Sequence, residues 1–115
     1  MKITSRFAGS AVVLDLSGRF DMLCAPAVAQ ALERASTGVP AQVVLNLADV
    51  SFIDSTALAT MVQGLKRCRQ RQGDLYLCGV QPNVYMVFEL TRLNQAFPMF
   101  VDARQAVQAF PNQVQ

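Results

Sequence analysis

The chain has no histidine and no tryptophan, and its three cysteines, Cys24, Cys68 and Cys78, are far apart with no C-x-x-C pair among them. Without histidine, the usual general base and a common metal ligand are missing together. Three scattered thiols do not make a zinc site, and no metal or other cofactor is expected. Each cysteine is expected to act as a small buried hydrophobe in a reducing compartment. Charge is also sparse: 16% of residues are charged and the net charge is +2, too little to suggest a nucleic-acid surface. The basic cluster Lys66, Arg67, Arg69 and Arg71 falls at the end of an expected helix, where cations complement the dipole, and no aromatic residues interleave with it. No uncharged run is apolar and long enough for a bilayer span, so no membrane insertion is expected. Met1-Lys2-Ile3-Thr4-Ser5-Arg6 lacks the apolar core and cleavage site of a secretory signal, which makes the cytoplasm the expected compartment.

Catalytic signatures are missing as well. Neither G-x-G-x-x-G nor a P-loop occurs, and the G-x-S-x-G elbow of serine hydrolases is absent. The only lysine beyond Lys2 is Lys66, about three turns along the same expected helix from Ser55, too far for a Ser–Lys dyad. The chain is not expected to be an enzyme.

What is present is a chain of 115 residues, 52% of them hydrophobic, enough for one core and one domain. That domain is expected to cover residues 1–110, with 111–115 as a frayed tail. Residues 2–7 and 11–17 read as strands around a turn at Ala8-Gly9-Ser10, the second ended by Gly18. Val28, Ala31, Leu32 and Ala35 make an apolar helical stripe after Pro26, stopped by Gly38 and Pro40. Gln42 to Leu47 reads as a central strand. A helix from Ser55 to Gln72 buries Leu58, Met61, Val62 and Leu65, with Gly73 as its C-terminal cap. A strand from Asp74 to Val80, a helix from Pro82 to about Thr91, a short strand Phe97–Val101 and a helix capped by Asp102 complete the chain. Strands alternating with helices require parallel pairing. The expected fold class is α/β: a mixed sheet of about five strands, mainly parallel with an antiparallel edge hairpin, packed with four helices.

The most informative stretch runs from Val43 to Ala59. It leaves a buried strand, passes through a short acidic turn, and opens a helix at Asp54-Ser55. A serine at a helix start sits where unpaired N–H groups and the positive end of the dipole favour a phosphate. A surface serine without catalytic partners is a residue acted upon, which points to a switch. The plainer reading is that Ser55 only starts the helix, a position serine favours in any case.

Leu16-Ser17-Gly18-Arg19-Phe20-Asp21, Val43-Leu45-Asn46-Leu47, Phe52-Ile53-Asp54-Ser55-Thr56-Ala57-Leu58 and Gly73-Asp74-Leu75 together resemble a STAS domain, in particular the bacterial anti-sigma factor antagonists (anti-anti-sigma factors) of sporulation and stress responses. The resemblance spans about residues 2–110, and its third segment is the specific one. It implies phosphorylation at Ser55, the serine directly after the aspartate, and places Asp21 near that serine. The family usually has glycine two residues after the serine, where this chain has Ala57. It further implies partner switching. The unphosphorylated protein would bind an anti-sigma factor that is also a serine kinase and free a sigma factor, phosphorylation at Ser55 would abolish binding, and a serine phosphatase would reset the cycle. The implied partner-binding residues are Asp21, Met22, Asp54, Ser55 and Thr56, on a monomer or weak dimer. Asp54 reads as the N-cap, and Thr56 as interface or first-turn filler. Asp21 reads equally as a loop cap or a partner contact. Phe20, Met22 and Leu23 are either core edge or the apolar part of a docking surface. STAS domains also occur as accessory subunits of ABC-type lipid transporters and as scaffolds of stress-sensing complexes, the alternative reading.

Overall fold

The computed structural model describes residues 1–111; the tail expectation for 112–115 lies outside the described residues. Strands β1 (Lys2–Ala8) and β2 (Ala11–Phe20) form an antiparallel hairpin. Strands β3 (Gln42–Ile53), β4 (Asp74–Cys78) and β5 (Met99–Phe100) follow in parallel, giving the spatial order β1-β2-β3-β4-β5. The helices are α1 (Ala25–Ala35), α2 (Ser55–Gln70), α3 (Pro82–Leu90) and α4 (Ala103–Ala109), with a 3-10 turn at Leu93–Gln95. The expected five-stranded mixed sheet with four helices is therefore the observed fold.

Strand order equals chain order, so every crossover steps the same way across the sheet. Right-handed connections then put α1, α2 and α3 on one face. Val28, Leu32, Met61, Leu65, Val84 and Phe88 from these helices meet Leu14, Leu16, Leu45, Leu47 and Leu77 from the sheet in the main core. The alternate strand residues Val13, Val44 and Cys78 point to the other face, where α4 covers them with Ala106 and Phe110. There Tyr76 stacks on Phe110, with ring centroids 4.0 Å apart. Burial pushes the Cys68 and Cys78 thiols up to about 11, so both are inert in the core.

Three expectations need correction. First, β2 does not stop at Gly18: that residue takes φ +117° within the strand, and pairing continues to Phe20, which is fully buried. A positive φ suits glycine because it has no Cβ. Phe20 is thus a core residue and not part of a docking surface. Second, the acidic turn after Leu47 is strand. Asp15 pairs with Asn46 but Ser17 with Asp49, and Gly18 pairs with Val50 but Arg19 with Phe52. Each step inserts one extra residue into β3, a pair of bulges that carries the strand on to Ile53. Third, the residue after α2 in the left-handed conformation is Gln72, at φ +62°, and not Gly73. Gly73 is required for another reason. A Cβ there would collide with the Ala41 carbonyl oxygen, where β3 and β4 begin side by side.

Candidate functional site

The bulged end of β3 delivers the chain to α2 at the carboxyl edge of the sheet. Asp54 is the N-cap: its Oδ1 accepts a 2.9 Å hydrogen bond from the Ala57 N–H. Its Oδ2 accepts from the Met22 N–H at 3.0 Å, so one carboxylate holds both the helix start and the β2–α1 loop. The Asp54 N–H donates to the Phe20 carbonyl at 3.3 Å, which closes the junction from the backbone side. Ala57 is fully buried directly beneath. A small side chain at this position packs into the core.

Ser55 is the first residue of α2 and is exposed, and its hydroxyl makes no hydrogen bond among the described residues. The first-turn N–H groups of Ser55 and Thr56 have no intrahelical acceptor, as at any helix start. Thr56 is exposed beside it, with its carbonyl accepting from the Thr60 hydroxyl at 2.9 Å. Asp21 turns the neighbouring loop: its Oδ1 accepts from the Leu23 N–H at 3.0 Å, and its carbonyl accepts from the Cys24 and Ala25 N–H groups. Asp21, Met22, Asp54, Ser55 and Thr56 are therefore assembled around one helix tip, tied through the Met22–Asp54 bond.

An apolar rim surrounds that tip. Met22 is 67% exposed, Leu23 87% and Phe52 36%. The Arg19 guanidinium lies 4.0 Å from the Phe52 ring centroid, a cation–π contact between cross-strand neighbours. Sequence reasoning missed this pair, because only the bulged register of β3 sets Phe52 opposite Arg19. Cys24 also departs from expectation. It is half-buried at the N-cap of α1, donating from Sγ to the Arg19 carbonyl at 3.1 Å and accepting from the Asp21 N–H at 3.3 Å. Its thiol organises the loop and is not core filler.

The basic cluster on α2 is largely committed within the fold. Arg67 pairs with Glu33 at 3.4 Å, and Arg69 pairs with Asp74 at 3.2 Å while donating to the Ala96 carbonyl. Arg71 donates to the Thr37 carbonyl at 3.4 Å. Among the described residues no group of His, Cys, Asp and Glu is placed to hold a metal ion. No described helix is long and apolar enough to cross a membrane.

The molecule is thus an α/β domain that presents an exposed, unbonded serine on a capped helix tip, beside the loop that carries Asp21. The STAS domain family model matches residues 2–106, and the chain belongs to that family. A protein of Listeria monocytogenes named anti-sigma-B factor antagonist is 35% identical over 79 residues, 69% of each chain. An anti-sigma-factor antagonist (STAS) domain protein from Planctomyces limnophilus superposes with a TM-score of 0.86 at 24% identity, covering 93% of this chain and 96% of that one. The phosphorylated form of the Bacillus cell fate determinant SpoIIAA shares the fold, with a TM-score of 0.72 at 17% identity over 93% of this chain and 97% of that one.

Proposed function

We propose that this protein is an anti-sigma factor antagonist working by partner switching, with Ser55 as the phosphate acceptor. The observation that carries the reading is the exposed, unbonded Ser55 hydroxyl at the start of α2, one residue after an Asp54 that is fully engaged as cap and loop tie. Unphosphorylated, the tip and its rim of Met22, Leu23 and Phe52 dock on an anti-sigma factor with serine-kinase activity, which releases its sigma factor. The kinase transfers the terminal phosphoryl group of ATP to the Ser55 oxygen; the hydroxyl proton leaves and ADP departs. A serine phosphatase returns the hydroxyl by hydrolysis. The protein itself catalyses neither step, and it acts in the cytoplasm.

The electrostatics favour eviction without refolding. A phosphate brings about −1.5 to −2 charges to a tip that already holds Asp54 and Asp21. The α2 dipole offsets this by about 0.3–1 kcal/mol, so the fold tolerates the group. A partner pressed against the tip does not, because like charges brought together in an interface cost several kcal/mol. A loss of about 4 kcal/mol is roughly a thousandfold in affinity.

The test is an affinity pull-down from the native cell's lysate with wild type, Ser55→Ala and Ser55→Asp as baits. The expected result is a kinase-type anti-sigma factor retained by wild type and Ser55→Ala and lost with Ser55→Asp. If all three baits retain the same transporter ATPase or permease, Ser55 is structural and the accessory-subunit reading replaces this one.

A further inference from the structure

Helix α1 leans toward α2, and this opens a cleft on its other side. Leu32 seats against Gly64 of α2, its Cδ1 3.0 Å from where a Cβ would stand, so the two helices pack closely. The opposite flank of α1 carries the small residues Ala27, Ala31 and Ala35, which leave the inner face of the β1–β2 hairpin partly uncovered. The resulting cleft has a volume of about 590 Å³, within the usual range of small-molecule sites. Its floor is apolar: Ile3 and Val12 are half-buried, Leu14 is buried, and Phe7 at the open edge is 86% exposed. An isolated exposed Phe is unremarkable, but one continuous with an apolar cleft marks a surface that gains from being covered.

The charge around the cleft narrows the occupant. No aspartate or glutamate lines it, and its one ionised side chain is Arg34. Among the described residues Arg34 pairs with no carboxylate; Glu33, its neighbour in sequence, turns the other way to Arg67. The Ser10 hydroxyl donates to Gln42 Oε1 at 2.9 Å, and Ser5, Gln30 and Thr37 also border the cleft, so the polar groups beside Arg34 are neutral. One cation beside an apolar floor, with only neutral polar groups around it, complements a ligand with one negative charge and an apolar tail. It does not complement a phosphate or nucleotide, which would need several donors or a glycine-rich turn.

We propose that this cleft binds a free single-chain amphiphile with a monoanionic head, of the fatty-acid class. The tail lies along Ile3, Val12 and Ala31, and the carboxylate meets Arg34. Here α1 separates the ligand from the α2 groove that borders Thr56, so this proposal stands or falls independently of Ser55.

The test is an NMR titration of the intact protein with decanoate, well below its micellar concentration. Saturable shifts confined to Val12, Ala31, Ala35 and the Arg34 side chain are expected. Decyltrimethylammonium, with the same tail and the opposite head charge, is expected to bind much more weakly. Arg34→Gln should weaken decanoate about fivefold, the scale of one exposed charge pair. Ala27→Phe, at an exposed helix position that borders the cleft, should abolish the shifts while leaving the rest of the spectrum in place. Equal binding of both amphiphiles, an unchanged affinity in Arg34→Gln, or no saturable shift would each overturn the proposal. So would co-sedimentation with phosphatidylglycerol vesicles without binding of monomeric decanoate, which would make this face a membrane contact.

Discussion

The two halves of the central strand pair, β2 and β3, are built differently. From Val12–Val43 to Asp15–Asn46 the strands run in strict register, with Leu14, Val43 and Leu45 facing one layer and Val13 and Val44 the other. From Ser17 to Phe20 the same strands carry a positive-φ glycine and two single-residue bulges. The regular half is mostly buried, with only Val12, Asp15 and Asn46 half-buried at its margins. The irregular half delivers Asp21, Met22, Asp54 and Ser55 to one tip and turns Phe52 outward under Arg19. Side chains buried in the layers hold both halves together, while the departures from regular pairing turn others outward at the tip, as bulges near functional sites commonly do.

If buried and outward-facing side chains divide the work in this way, truncation inside the layers lowers stability, whereas changes at an exposed tip residue such as Ser55 leave it nearly unchanged. The largest expected effect is Phe20→Ala. It removes a fully buried ring that anchors the irregular half to the core and should cost about 3–5 kcal/mol, measured by urea denaturation. Leu45→Ala in the regular half should cost about 2–5 kcal/mol. In contrast, Ser55→Asp at an exposed helix start should change stability by less than about 0.5 kcal/mol. Comparable losses from Ser55→Asp and Leu45→Ala would erase the division.

Asp54→Ala sharpens the comparison, because Asp54 belongs to both tasks. Losing the bond from the Ala57 N–H removes a helix cap, worth about 1 kcal/mol and at most about 2. Losing the bond from the Met22 N–H releases the β2–α1 loop. Hydrogen exchange at the Met22 amide should therefore accelerate well beyond what the fall in global stability accounts for. Exchange that merely tracks global stability would mean the loop is held by Asp21 and Cys24 alone.

How far the sequence could be read depended on periodicity. The helices were legible because their apolar stripes stay on one face, as in α1 with Val28, Ala31 and Leu32. Asp54 was legible as a cap from its place before a helical run, and Ser55 as the first helical residue from its place after Asp54. The second half of β3 was not, because each bulge stretches the buried spacing from two residues to three, from Leu47 to Val50 and on to Ile53. A strand with that spacing looks like a turn. Gly18 misled for a related reason: a glycine that ends most strands here allows one to continue. The Met22–Asp54 bond joins residues 32 positions apart, and local pattern holds no trace of such a contact. Nor does pattern show that Cys24 is a hydrogen-bonding hub while Cys68 and Cys78 are core.

The smallest expected loss of stability lies on the open part of the sheet's second face, where Arg6 Nε donates to Asp15 Oδ2 at 2.8 Å and Asn46 Nδ2 donates to Asp15 Oδ1 at 2.8 Å. The Arg6 hydrogen bond, helped by that from Asn46 and opposed by partial burial, holds the Asp15 carboxyl below its ordinary value. A carboxylate whose folded pKa lies below its unfolded value, about 3.9, stabilises the fold above that value. The contribution disappears as the pH falls through the folded pKa. Because the Arg6 side chain is half exposed, screening limits the pair to less than about 1 kcal/mol. Arg6→Gln should therefore lower the urea midpoint slightly at pH 7. The gap from wild type should narrow as acid protonates Asp15 and also as salt is raised toward 1 M. A gap that persists at low pH and high salt would mean that Arg6 acts through the packing of its aliphatic stem on the hairpin and not through its charge.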